Sequence, residues 1–563
     1  MKINSALPAA LAAILVVAAL RAQTPERPLP RLVEKDGRYA LLVDGAPYLA
    51  LAAQVRNSSA WPSIFQKLWP TLEYMNVNTV EVPVYWNQFE PQPRQYDCTL
   101  VDMLLSEARQ HNVRLVPLWF ATWKNGSQHF MPDWMKLDPG RYSHALDKTG
   151  QAVDSPSPFA TASLEADKSA FAAFMGHLKE ADPQRTVIMV QVENEPGNWG
   201  SVRDFSEAAQ KAFEAPVPPE ILKAMRAGAA APAPTWQEAF GPDADEYFNA
   251  WSVARYVGQV AAAGKAVYPL PMYANAALRN PLRKGSPGQP GAPDNYESGG
   301  PTDNVLDIWK AAAPALDVLA PDNYQTDPAA YLKVFELYHR RDNPLYVPET
   351  GRPYNARFFF SALGHQAIGF SPSGGNTEGE FKPTEVSKAR EDFLNPWAMN
   401  YRLIGPIQRE IARLNFEGRL QAVAEEQGKF TQSLPFGSWN AVVSYGSSGR
   451  APAAGNLSPT GRALVAQLDD NQFLVTGYYC RVDFRPAGTE KQRKSGKIVE
   501  GTGQTPSALI DGQWQHRQFL RVEEGTYENG AFKYSRIWNG DETDWGLKFA
   551  DEPVVLRVLL ATY

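Results

Sequence analysis

The sequence predicts an α/β protein, a parallel (β/α)8 barrel followed by an antiparallel, sandwich-like β domain. Three observations carry this expectation. Eight short apolar runs alternate with amphipathic helical stretches between about residues 37 and 410. The runs are apolar on both faces, as strands covered by helices must be. From about residue 411 the texture changes to period-2 alternation broken by Gly, Asn and Asp turns.

In chain order the runs are PYLALAAQV (47–55), NTVEVPVYW (78–86), VRLVPLWF (113–120), VIMVQVEN (187–194), YPLPMYAN (268–275), DVLAPDNY (317–324), PLYVPET (344–350) and HQAIGFSP (365–372). Helical patterns such as 99–111, 166–180, 246–264 and 329–341 separate them. A doubly wound open sheet would want a Gly-rich phosphate loop after its first strand, and none is there. Long segments, 201–245 and 279–304, follow the fourth and fifth runs, on the face where a barrel builds its cleft. The organisation predicted is a leader over 1–22, a barrel over 23–410 and a β-rich accessory domain over 411–563, the last expected to cover an apolar barrel flank.

The leader carries Lys2, an apolar run from Leu7 to Leu20 and a small residue at Ala22. This is the pattern of a secretory signal peptide and predicts export to the periplasm or beyond. No Cys follows the run, and no later segment reads as long and apolar enough to cross a membrane. The formal net charge is -6, from 55 basic and 61 acidic residues, which gives no reason to expect nucleic acid or an anionic membrane as partner. Cys98 and Cys480 lie far apart and read as free thiols. The seven His are scattered without an HExxH pattern, so no metal site is predicted.

Chemistry in a parallel barrel sits at the C-terminal ends of strands. The acids there are Glu193 and Glu195 after the fourth run, Asp322 in the sixth and Glu349 in the seventh. Strand alternation gives Glu193 and Glu195 one orientation and Asn194 the other, unless the strand end twists. Two carboxyl groups facing each other across a barrel mouth are what glycosidic cleavage requires. One protonates the leaving oxygen, and the other attacks or stabilises the anomeric carbon. Taken alone, Glu193 and Asp322 are better explained as structural acids, and Glu195 with Glu349 as the working pair.

The stretches QVENEPG and VPETG resemble the acid/base and nucleophile signatures of clan-A glycoside hydrolases, which are retaining barrels. NTVEVPVYWNQFEPQPRQYD (78–97) resembles family-35 β-galactosidases. LWFATWKNGSQHFMPDWMK (118–136), YPLPMYANAAL (268–278) and SGGPTDNVLDIWKAAAPALDVLAPDNY (298–324) resemble a bacterial branch of that family. The resemblance implies Glu195 as acid/base and Glu349 as nucleophile. It implies Asn194 as a contact to the sugar 2-hydroxyl and Tyr324 as a hydroxyl orienting the nucleophile. It further implies Trp86, Tyr85, Trp123, Lys124 and Asn125 as pocket residues, with Trp119 nearby and plain barrel packing as the rival for these aromatics. Pro196 stands where the family has Tyr, and AAQVRNSSAW (52–61) replaces its usual Gly-Gly-Glu-like start.

The function expected is an exo-acting, retaining β-galactosidase. It would release terminal galactosyl residues from oligo- or polysaccharides such as xyloglucan, with no cofactor. The alternatives are another retaining β-glycosidase (a β-glucosidase, mannanase or arabinosidase) and a noncatalytic carbohydrate-binding protein.

Overall fold

Eight parallel strands close into a ring in the computed structural model, which describes residues 27–226, 233–289, 295–373, 388–446, 453–487, 507–510 and 513–562. The predicted signal peptide, 1–22, lies outside the described residues. The strands are β1 Ala50–Gln54, β2 Thr79–Tyr85, β3 Arg114–Lys124, β4 Val190–Asn194, β5 Met272–Ala277, β6 Val318–Asn323, β7 Tyr346–Thr350 and β8 Gly369–Pro372. They follow one another around the ring in chain order, and β8 returns to β1. Each of the eight predicted runs overlaps one of these strands, two of which (β3 and β5) extend past the end of their run, because both faces of each strand are covered and apolar residues fill it. β2, TVEVPVY, is buried at every position.

The first run splits. Ala46–Tyr48 joins Arg31–Lys35 and Arg38–Val43 in a three-stranded antiparallel sheet, and only Ala50–Gln54 enters the barrel. The Tyr48 hydroxyl lies 2.9 Å from both the Asn78 carbonyl and the Thr79 hydroxyl, at the N-terminal end of β2. This small sheet therefore packs at the end of the ring away from the strand-tip acids.

Two long helices, α1 Thr161–Ala181 and α2 Ala244–Val267, pack against each other outside the ring. Gly264 of α2 lets them approach. A Cβ there would lie 2.3 Å from the Phe171 ring of α1. Among the described residues, no helix is long and apolar enough to cross a membrane.

The C-terminal region forms two antiparallel sheets. One carries Leu420–Ala424, Arg462–Asp469, Gln472–Tyr478, Val555–Thr562 and Gln513–Glu528. The other carries Thr431–Phe436, Trp439–Ser444, Cys480–Pro486 and Leu547–Phe549. Trp439, Val443, Phe473, Val482, Phe484 and Val558 fill the space between them. Part of the outer face of the first sheet is covered by the barrel layer. Leu420, Ala422, Leu464, Leu474 and Val555 belong to the same apolar cluster as Phe359, Phe360 and Trp397 of the barrel layer. Polar contacts accompany them: Arg462 Nε donates to Asn400 Oδ1 at 2.8 Å, and the Tyr478 hydroxyl to the Met399 carbonyl at 2.8 Å. Cys98 and Cys480 are free thiols.

Candidate active site

The fourth strand ends in a backbone that does not alternate. Glu193 and Glu195 both have positive φ, 63° and 44°, a region that side-chain-bearing residues rarely enter. Each such residue costs on the order of 1–3 kcal/mol and persists only where its surroundings hold it. The consequence overturns the alternation expected for this tip. Glu193 and Glu195 point to different sides, and Asn194 turns toward the same cleft as Glu195.

Glu193 points away from the cleft. Its Oε2 accepts from the Trp123 backbone N–H at 2.7 Å, and its carboxyl is hydrogen-bonded to Asp167 of α1. Asp167 in turn accepts from Trp119 Nε1 at 2.9 Å and from the Thr122 hydroxyl at 2.7 Å. Both carboxyls are fully buried. Desolvation, with Asp167 beside it, holds Glu193 well above the ordinary range. Two adjacent buried acids cannot both be ionised, so one carries a proton that joins them. This pair ties the strand tip to the helix layer.

Glu195 and Glu349 face each other inside the mouth, with Asp322 beside them. One carboxyl oxygen from each of the three lies within 4.8 Å of the others. The Glu195 backbone N–H donates to Asn275 Oδ1 at 2.9 Å, which holds the residue in its unusual conformation. Its Oε2 accepts from Asn125 Nδ2 at 2.6 Å. Burial, then the nearby Glu349 carboxylate, push the Glu195 carboxyl up to about 7, against lowering effects from Lys124 and the Asp322 hydrogen bond. Lys124 itself donates to Asn125 Oδ1.

Glu349 is held from three sides. Oε1 accepts from Gln54 Nε2 at 2.7 Å and Asn194 Nδ2 at 3.3 Å, and Oε2 from the Tyr324 hydroxyl at 3.1 Å. These three donors fix the direction of the carboxyl group. Asn194 Oδ1 receives no hydrogen bond from any described donor.

The three carboxyls are the group of His, Cys, Asp or Glu among the described residues that comes close enough to hold a metal ion. Here Gln54, Asn125, Asn194, Asn275 and Tyr324 supply N–H and O–H donors to the three acids.

Of the residues implied by resemblance, Asn194, Tyr324, Lys124 and Asn125 gather around the two acids. Trp86, Tyr85, Trp119 and Trp123 do not. Trp86 is fully buried, and its indole N–H donates to Glu90 Oε2 at 2.8 Å. Tyr85 is 1% exposed, stacked between Trp61 and Phe130, with its hydroxyl accepting from the Ala60 N–H. Trp119 packs against Phe171 and Phe174. Trp123 meets Tyr256 of α2 edge-on at 4.8 Å and is fully buried. The reason lies in β3. Five residue steps from Trp119 to Lys124 are paired against two from Val192 to Asn194, and this bulge turns Trp123 to the helix layer while Lys124 stays at the mouth.

Gln54, Asn275, Glu297 and Trp199 complete the site and were not singled out from the sequence. Gln54 and Asn275 could have been found by listing amides as well as acids at strand ends. Glu297 sits in the loop after β5 and is 3% exposed. Its Oε1 accepts from Trp199 Nε1 at 2.9 Å, while Oε2 has no described partner. Burial, then Glu195, push its carboxyl up to about 8. Gly126 is required under this pair. It has φ 69°, and a Cβ would lie 2.6 Å from Trp199 Cδ1 and 2.8 Å from Glu297 Cγ.

Residues 397–550 match the family model described as a domain of unknown function (DUF5597). The chain is 26% identical over 179 residues to "Beta-galactosidase 12" of Oryza sativa subsp. japonica, a match covering 30% of this chain and 18% of that one. Among solved structures it is similar to a β-galactosidase from Bacillus circulans sp. alkalophilus. That similarity has TM-score 0.46 at 13% identity, over 64% of this chain and 57% of the other. It is also similar to an exo-β-1,4-mannosidase, Op5Man5, from Opitutaceae bacterium strain TAV5, with TM-score 0.37 at 15% identity, over 68% and 63% of the two chains. The chain thus spans less than two thirds of the length of each of these three relatives. It is a (β/α)8 barrel related over part of its sequence to a β-galactosidase, with a C-terminal β region that matches DUF5597.

Proposed function

We propose that the protein is a retaining, exo-acting β-galactosidase. The observation that carries this is the Glu195–Glu349 pair, with carboxyl oxygens within 4.8 Å. Retaining glycosidases keep their carboxyls about 5–5.5 Å apart, whereas inverting ones leave about 6.5–9.5 Å for a water. The two environments divide the labour. Glu349, held by Gln54, Asn194 and Tyr324, is the nucleophile. Glu195, pushed up to about 7, keeps a proton near neutrality and is the acid.

In the first step Glu349 attacks the anomeric carbon as Glu195 protonates the leaving oxygen. In the second Glu195 removes a proton from water, and that water displaces Glu349. Asn194, with Oδ1 unoccupied beside Glu349, accepts from a sugar hydroxyl. Galactose is chosen over other sugars on the partial sequence match to a β-galactosidase. Export through residues 1–22 and a galactosylated plant polysaccharide as source complete the proposal.

Initial rates on aryl β-galactoside, glucoside, mannoside, xyloside, fucoside and α-arabinoside test it. A galactoside preference, with the β-anomer appearing first by NMR, is expected. Turnover concentrated on another sugar overturns the galactose assignment. First release of the α-anomer overturns retention, and silence throughout overturns the enzyme reading.

A further inference from the structure

Two carboxyl groups suffice for retaining hydrolysis, yet the mouth holds a third between them. Asp322 is the last residue but one of β6 and is paired in register with Glu349 of β7 and Ala277 of β5. It is 2% exposed. Its Oδ2 accepts from Asn275 Nδ2 at 2.6 Å, and the same Asn275 holds the Glu195 backbone through Oδ1. Its Oδ1 receives no hydrogen bond from any described donor, and its carboxyl is hydrogen-bonded to that of Glu195. A carboxylate oxygen with no donor, buried against two other carboxyls, is costly unless it carries the proton itself.

We propose that Asp322 is a positioning residue that stays a neutral carboxylic acid throughout turnover and lends its O–H to Glu195. The inference rests on the assignment of Glu195 as acid/base and Glu349 as nucleophile.

Charge bookkeeping across the reaction supports it. Before attack, Glu349 is ionised and Glu195 protonated. In the glycosyl-enzyme, Glu349 is an ester and Glu195 is ionised. With Asp322 neutral, the three groups carry one negative charge in both states. With Asp322 ionised they would carry two, within 4.8 Å and almost without water. The other groups facing it do not change this. Lys124 of β3 supplies one positive charge, and Tyr273, Tyr324 and Tyr338 are held neutral by burial. Burial and the two Glu neighbours drive Asp322 itself well above the ordinary carboxyl range. The O–H of Asp322 would strengthen its bond when Glu195 becomes an anion, which is the state that must activate water.

Asp322→Ala and Asp322→Asn test this on the full chain. An Asn can accept from Asn275 and donate to Glu195, as a neutral acid does, whereas Ala can do neither. Asp322→Ala is expected to lower kcat/KM about 100-fold and to move its alkaline limb upward, because ionised Glu195 loses a donor. Asp322→Asn should recover at least about ten-fold of that loss with the limb near the wild-type position. A downward limb shift in Asp322→Asn would show that an anion had been removed, and would overturn the proposal. So would an unmoved limb in Asp322→Ala. Infrared spectroscopy gives a readout that needs no turnover. The protonated-carboxyl band at neutral pH should be weaker in Asp322→Asn than in wild type, and equal bands would overturn the inference. Should wild type hydrolyse no glycoside, the functional assignment fails while the infrared comparison still decides the proton on Asp322.

Discussion

Gln54 and Glu349 meet at 2.7 Å across the one strand that separates them, β8, and the amide N–H fixes the direction of one carboxylate oxygen. A hydrogen bond to a charged group is worth about 1.5–3 kcal/mol. Gln54→Leu is therefore expected to lower kcat/KM by about 10–100-fold while leaving the fold intact. Steady-state kinetics with circular dichroism as control check this.

Glu349→Ala and Glu195→Gln should fail differently. Loss of the nucleophile removes turnover on every glycoside. Loss of the acid costs about 10²–10⁴-fold on poor leaving groups and little in the first step with dinitrophenyl glycosides, which need no proton. In Glu195→Gln the second step then limits, so a burst of dinitrophenol precedes slow turnover. Stopped-flow absorbance reads the burst.

The pH dependence follows from Glu195. Its proton is needed for attack, so kcat/KM should fall on the alkaline side with an apparent pKa near 7. With Asp322 and Glu297 nearby, that limb belongs to the group rather than to one side chain.

Stability carries the same sign. A carboxyl raised in the folded state stabilises folding fully below its unfolded pKa, and that contribution is lost as pH rises through about 7. Glu195→Gln, which cannot ionise, should therefore melt higher than wild type at pH 8 and close to it at pH 5. Calorimetry at the two pH values is the check.

Glu297→Ala removes one of the two acceptors of the Trp199 indole, the other being the Asn125 carbonyl, whereas Glu297→Gln keeps both. A lost neutral hydrogen bond costs about 1 kcal/mol, so the Ala variant should lose about five-fold more kcat/KM than the Gln variant. Trp fluorescence should shift in the Ala variant alone.

Gly264→Ala sets two effects against each other. Helix propensity favours Ala by about 1 kcal/mol. A Cβ 2.3 Å from the Phe171 ring overpacks the α1–α2 contact, at about 1–3 kcal/mol. The clash should win, giving a lower melting temperature, which Phe171→Leu should partly restore.

The barrel was legible because parallel strands buried on both faces write themselves as continuous apolar runs, and each of the eight runs overlaps a strand. The acids at the tips of β4, β6 and β7 were legible for the same reason, since a polar residue ending such a run needs an explanation. What lies across the ring was not. Gln54 and Asn275 act through partners 295 and 80 residues away. The split orientation of Glu193 and Glu195 depends on positive φ at residues other than glycine, which no composition rule announces. Trp86 and Trp123 look like sugar platforms in the chain and are packing residues in the fold, Trp123 because the bulge in β3 resets which side chain reaches the mouth.

The apolar cluster that joins Phe359, Phe360 and Trp397 to Leu420, Leu464 and Val555 gives the two regions a common fate. A change of texture near residue 411 reads as a seam, yet the interior has no seam there. A gene cut at that point would yield a barrel with a raw hydrophobic wall, prone to aggregate. The β region cannot then be shuffled freely between barrels in the way a tethered binding module can, because whatever replaced it would have to supply the same wall. The protein should accordingly melt as one cooperative unit.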